Sequence, residues 1–146
     1  MKRVTLLVCT ISCLCLIACK KEILHSTWTV NGEGFSTNKV AETKGKGGSG
    51  LHTDDKENGF TMGWGLYSIP GTGVHQISLE QSNNPALLRV TFYYKGAYYS
   101  LSPNNDDSLI ATAINEKMHY EMPAVWFKNH TNSLDSVLIS ATLIQP

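Results

Sequence analysis

Past residue 19 this chain of 146 residues has no cysteine, because Cys9, Cys13, Cys15 and Cys19 all lie at its amino-terminal end. The rest of the chain can therefore form no disulfide, offers no thiolate nucleophile and builds no cysteine metal site. Its stability must come from an apolar core. Also missing beyond residue 19 is any apolar run near the length of about 20 residues that a spanning helix needs, and no long segment repeats with a helical period. A basic cluster is lacking too. Lys+Arg 12 balance Asp+Glu 12, and without Lys2 and Arg3 the remainder carries a net charge of −2, which argues against nucleic acid as a partner.

Signatures of chemistry are equally scarce. No Gly-x-Ser-x-Gly elbow exposes a serine nucleophile. In Lys44-Gly45-Lys46-Gly47-Gly48-Ser49-Gly50, Gly45-Lys46 is followed by glycine rather than Ser or Thr and no helix pattern follows, so a phosphate loop is excluded. The composition predicts a mobile, linker-like loop. Asp54-Asp55-Lys56-Glu57-Asn58-Gly59 is spaced somewhat like a calcium loop, but Lys56 stands where an oxygen ligand is required and Gly65 where the closing glutamate belongs. A solvated turn is expected there.

What is present begins at the amino terminus. Lys2 and Arg3 precede the apolar run Val4 to Ile17, which is interrupted only by small polar residues, and polar sequence resumes at Lys20-Lys21-Glu22. This is the layout of a secretory signal; the alternative is a short membrane anchor that is never cleaved. Leu16-Ile17-Ala18-Cys19 resembles the lipobox of bacterial lipoproteins. That resemblance implies removal of residues 1–18 as a signal peptide, acylation of Cys19 with palmitate-type chains, and a polar tether over residues 19–25. Two or three acyl chains hold a protein firmly to a bilayer where one does not. The partner so implied is the membrane, through the lipid anchor on Cys19. Lys20 in place of an aspartate implies outer-membrane sorting in the enterobacterial pattern, and Lys20-Lys21-Glu22 resembles the export signals of Bacteroidota surface lipoproteins. The periplasmic and the surface face both stay open. The run Trp28-Thr29-Val30-Asn31-Gly32, with Phe35 shortly after, is similar to the opening of small Bacteroidota lipoproteins whose domains tend to be β-sandwiches.

Residues 26–146 read as one domain of short strands. Asn31-Gly32 is a hairpin turn, and Phe60, Met62, Trp64 and Leu66 alternate with Thr61, Gly63, Gly65 and Tyr67 as in a half-buried strand. Gly63 and Gly65 leave bare backbone on the outer side, inviting close approach by a ligand or by a neighbouring aromatic ring. If Lys95-Gly96 is a two-residue turn, Tyr94 faces Ala97, Phe92 faces Tyr99 and Val90 faces Leu101. Leu88, Val90, Phe92, Tyr94, Ala97, Tyr99 and Leu101 then share an apolar side, and Arg89, Thr91, Tyr93, Tyr98 and Ser100 share the other. Leu109 to Ile114, apolar on both faces, is a central strand or a helical turn. Met118 to Met122 and Val125 to Lys128 read as two strands separated by Pro123, and Val137, Ile139, Ala141 and Leu143 line a closing strand. About seven to ten short strands make an all-β domain, an antiparallel β-sandwich or a barrel-like sandwich.

Titratable groups are scattered. His52 with Asp54, His119 with Glu121, His130 and the pair Asp106-Asp107 are the candidates, yet a zinc site wants about three or four ligands and the sequence supplies no such set. No catalytic residue, metal ligand or cofactor is assigned. The stronger lead is Tyr93 and Tyr98 with Arg89 in line, a flat amphipathic surface suited to sugar rings or an envelope protein; alternatively a second sheet or loop covers these rings. The expected function is a lipid-anchored binding or structural module of the cell envelope, with a small envelope hydrolase using some of His52, Asp54, His119 and Glu121 as the alternative. The sequence leaves ligand and oligomeric state open.

Overall fold

A computed structural model describes residues 24–103 and 106–146. The lipobox, all four cysteines and most of the tether lie outside the described residues. Eleven strands follow in order: β1 Ser26–Val30, β2 Glu33–Thr37, β3 Ala41–Gly45, β4 Gly48–His52, β5 Phe60–Trp64, β6 Gly73–Ser78, β7 Leu87–Tyr94, β8 Ala97–Leu101, β9 Ser108–Ile114, β10 Lys117–Asn129 and β11 Ser136–Ile144. The described residues contain no helix. The fold is all-β.

All the strands belong to one mixed sheet in the order β2-β1-β11-β10-β9-β6-β7-β5-β4-β3, with β8 pairing both β7 and β10. Two hydrogen-bonded routes therefore connect β7 to β10, one through β8 and one through β6 and β9, and the strands close into a ring. From that ring β11, β1 and β2 extend as one wing and β5, β4 and β3 as another. The wings fold towards each other. Trp28 of β1 meets Phe60 of β5 edge-on at 5.7 Å although the two strands are far apart along the sheet.

The core is the inner side of the ring and of both wings. Phe60, Met62 and Trp64 of β5 and Leu88, Val90 and Phe92 of β7 are fully buried, as the alternation of each strand dictates. A train of aromatic contacts crosses the interior, from Phe35 to Trp28, Phe60, Phe92 and Phe127, with ring centroids 5.3 to 6.3 Å apart. At one end the Tyr99 hydroxyl donates to Asp135 at 2.7 Å, and Asn129 donates to the same carboxylate oxygen at 2.8 Å. These bonds hold the Asp135 carboxyl below its ordinary range, while burial and then the Asp135 bond push Tyr99 up to about 12. The short turn between β10 and β11 is thereby pinned to β8.

The hairpin β7–β8 has the expected register over Tyr94↔Ala97, Tyr93↔Tyr98, Phe92↔Tyr99 and Thr91↔Ser100. Its turn residues Lys95 and Gly96 have φ of 50° and 75°, the left-handed pair that matches strand twist, and Asn31 and Gly32 do the same for β1–β2. The ladder ends one pair before Val90 and Leu101. Leu101 instead pairs with Phe127 and Val90 with Met62, because β8 leaves β7 to join β10.

Four features depart from the sequence reading. Lys44 to Gly50 is no loose loop but a hairpin, with β3 and β4 paired from Ala41↔His52 to Gly45↔Gly48. Glycine is required here by proximity. A Cβ on Gly48 would lie 2.0 Å from the Trp64 carbonyl oxygen, and one on Gly50 would lie 2.4 Å from that of Met62. Secondly, Pro123 does not end a strand: β10 runs through it, and a register shift between Met122 and Val125 takes up the residue that cannot donate to a ladder. Thirdly, the sheet is not wholly antiparallel, since β6 and β7 pair in parallel over Gln76↔Leu87, Ile77↔Leu88 and Ser78↔Arg89. The connection over residues 79–86 crosses the end of β5, where Ser82 accepts a hydrogen bond from the Gly65 N–H at 2.8 Å. Lastly, that loop occupies the room above the β5 glycines: the Gln81 amide overlies Gly63, and Ser82 and Asn83 crowd Gly65, where a ligand or an aromatic ring was expected. Leu109 to Ile114 forms the strand β9, held between β6 and β10.

Candidate functional site

Alternation that sends Phe60, Met62, Leu88, Val90 and Phe92 inwards turns their neighbours outwards on β5 and β7. Strand pairing then lines up those outward residues in rows across β3, β4, β5, β7 and β8. One row is Thr43, Gly50, Gly63 and Arg89, each directly opposite the next. A second is His52, Thr61, Thr91 and Ser100. The third contains Tyr93 opposite Tyr98. Side chains flank a stretch of backbone that has none, which leaves a groove of about 430 Å³ between them.

Tyr93 and Tyr98 form one wall. Their rings meet at 5.5 Å and 60°, and His130 abuts the Tyr98 ring edge-on at 5.8 Å. Backbone bonds from Tyr93 N–H to Gly59 and from His130 N–H to Tyr98 hold both positions. Both tyrosines are half-buried and line the groove. They are not sealed beneath a second sheet. Gly48, Gly50 and Gly63 supply a floor of backbone without side chains, over which the Gln81 amide reaches at Gly48 and Gly63, and Thr43, Thr61 and Thr91 supply hydroxyls at its margin. Gln81 closes one end, its amide donating to the Trp64 carbonyl.

Among the described residues Arg89 is the one charged side chain lining the groove. It is half-buried, and its Nη2 donates to the Tyr98 hydroxyl at 2.5 Å. Its Nε is shut off from solvent and has no hydrogen-bond partner. The three residues singled out from the hairpin register thus meet at one place. Thr43, Gly50 and Gln81 were missed. Gly50 belongs to the segment Lys44 to Gly50, whose composition reads as a loop, Thr43 stands just before it, and Gln81 arrives from a connection whose path no local pattern reveals.

The remaining titratable residues do not join this groove. His52 and Asp54 are 3.8 Å apart, with the Asp54 side chain fully exposed. His119 is buried and Glu121 exposed on β10, beside the β11 wing and away from the groove. Asp106 accepts a hydrogen bond from Gln76, and Asp55 caps its own turn through the N–H groups of Glu57 and Asn58, as a solvated turn would. Among the described residues no three His, Cys, Asp or Glu side chains converge as a metal site would need.

A larger depression of about 660 Å³ lies on the outer side of β1, β2 and β11, where Thr27, Thr29, Ser36, Ser140 and Thr142 present hydroxyls. Thr29 and Ser140 spend theirs on each other at 2.8 Å. Glu121 is its charged residue, and its aromatic members Trp28 and Phe35 are stacked together at 5.8 Å. It lacks the combination of cation, paired rings and bare backbone found in the groove over β5. Compared with known proteins, the chain matches no family model, no curated protein and no solved structure.

Proposed function

We propose that this chain is a lipid-anchored module of the cell envelope that binds a saccharide in the groove over β4, β5 and β7. The finer architecture we read as a β-sandwich, its two wings enclosing one core and its outer side carrying the site. The observation that carries the function is the half-buried Tyr93–Tyr98 pair beside a floor of glycine backbone. A sugar ring has an apolar C–H face and a rim of hydroxyls. Tyrosine rings suit the face, and the threonine hydroxyls with the Gln81 amide suit the rim. The groove volume of about 430 Å³ falls within the usual range for small-ligand sites.

The anchor follows from the lipobox. Acylated Cys19 would hold the membrane, residues 20–25 would act as spacer, and the domain opens at Ser26. Cys19→Ser is expected to abolish both membrane partition and uptake of labelled fatty acid; a variant that still does both removes the localisation.

The binding role is tested with Tyr93→Ala combined with Tyr98→Ala in the full chain. Retention on immobilised envelope polysaccharide should fall about tenfold or more, as expected when two stacking surfaces are removed. The melting temperature should move by only a few degrees, because both rings are outside the core. A large loss of thermal stability would place the rings in the structural core and sink the reading, and so would unchanged retention.

A further inference from the structure

We infer that the saccharide taken by this groove is acidic, its ring-borne carboxylate held by Arg89; the inference rests on the groove being a saccharide site. A guanidinium has several N–H donors and no acceptor. Among the described residues Arg89 has one hydrogen-bond partner, the neutral hydroxyl of Tyr98. Its Nε is shut off from solvent and has no protein acceptor, so the Nη groups are the donors through which Arg89 meets the groove. A buried donor left without an acceptor is costly to the fold, and a cation half-withdrawn from water without a counter-charge more so.

The chain's own carboxylates do not meet that demand. Among the described residues none lines the groove. Glu42 pairs with Lys44, Glu33 with Lys95 and Asp54 with His52. The groove is thus a local positive site on a domain whose charge is otherwise slightly negative, and it favours anions at that one place. The planar fork of arginine matches a carboxylate with two parallel hydrogen bonds, which a lysine could not provide.

The location defines the ligand further. Tyr98 takes part in both halves of the site: its ring packs on Tyr93 and its hydroxyl binds Arg89. Stacking surface and charge are therefore separated by no more than one tyrosine side chain. A ligand that uses both must carry its carboxylate directly on the stacked ring, as a uronic acid does. Arg89 also faces Gly63 and, one strand on, Gly50, so the row between the guanidinium and Thr43 carries no side chain of its own, and the Gln81 amide reaches over it at Gly63.

The test compares binding of the full chain in detergent to polygalacturonate, alginate and hyaluronate, to the methyl esters of the same polymers, and to dextran sulfate. At least one uronate polymer should bind about tenfold tighter than its own ester, the usual effect of one charge-assisted hydrogen bond. Arg89→Ala should bring uronate down to the level of ester, and Arg89→Lys should recover part of the difference. Equal binding of a uronate polymer and its ester by the unaltered protein overturns the inference while leaving the groove a saccharide site. So does a preference that survives Arg89→Ala. Dextran sulfate binding as tightly as the best uronate overturns the assignment to a carboxylate. Binding to none of these polymers overturns the saccharide reading and this inference with it.

Discussion

Phe92→Ala is expected to lower the free energy of unfolding by about 3–5 kcal/mol, the range for removing a fully buried phenylalanine. Phe92 is wholly inaccessible to solvent. Its ring lies 6.3 Å from Phe60 and meets Phe127 edge-on at 5.3 Å. Those neighbours belong to β5 and β10, so Phe92 joins the β5 wing to the far side of the closed ring of strands. An alanine would leave a cavity that rigid ladders on both sides cannot collapse to fill. Domains of this size are stable by about 5–15 kcal/mol, and no cysteine beyond residue 19 is present to restrain the unfolded chain. Urea denaturation followed by tryptophan fluorescence would measure the loss. A change below about 1 kcal/mol would mean that β5, β7 and β10 do not interdigitate at Phe92.

The second large effect concerns a residue without a side chain. Gly48→Ala should destabilise by about 3 kcal/mol or more, combining backbone strain with a clash. Gly48 has φ of +124°, a conformation that L-residues rarely adopt, and an added Cβ would sit 2.0 Å from a backbone carbonyl oxygen and 2.6 Å from the Gln81 amide nitrogen. The amide could swing aside, but the carbonyl belongs to Trp64 in β5 and could move only with the strand. Gly47→Ala is the control. Nothing lies within 4 Å of its Cβ position, so it should change stability by no more than about 0.5 kcal/mol. If both variants unfold at the same denaturant concentration, β4 does not approach β5 as described. Because Gly48 also lies in the groove, the first variant should lose saccharide retention even at temperatures where it remains folded.

The contrast between these glycines shows which parts of the structure were readable. A strand such as β5 announces itself, because burial on one side forces its residues to alternate. The turns at Asn31-Gly32 and Lys95-Gly96 were equally plain, since glycine there serves a local dihedral requirement. At Asn115-Glu116 the same turn is built without glycine, at φ of 50° and 66°, so the most direct signal was missing. Between Lys44 and Gly50 glycine was read as freedom when its cause was constraint. The carbonyls that demand it belong to β5, more than ten positions along the chain, and no local pattern records that proximity. The parallel pairing of β6 with β7 was hidden for a similar reason: it depends on where the connection over residues 79–86 crosses, not on the composition of either strand.

The site divides along the same line. Tyr93, Tyr98 and Arg89 could be grouped because one turn fixes the register of one hairpin, and register sorts every side chain to a side. What could not be foreseen was the floor. It arises where β4 and β5 bring their glycines side by side, and it turns a pair of half-buried rings into the wall of a groove with an end and a margin.

The pairing of β1 with β11 sets the timing of folding. Ser26 and Ile144, 118 positions apart, exchange a hydrogen bond through the serine hydroxyl, and Thr27 stands opposite Thr142. The first strand to leave the ribosome thus waits for the eleventh before its second ladder can form. Contacts so distant in sequence are slow to assemble, and a chain still being synthesised cannot bury Trp28 against a complete core. Such a polypeptide cannot complete its sheet until residues 136–144 have been made, so folding of this domain is expected to follow synthesis rather than accompany it.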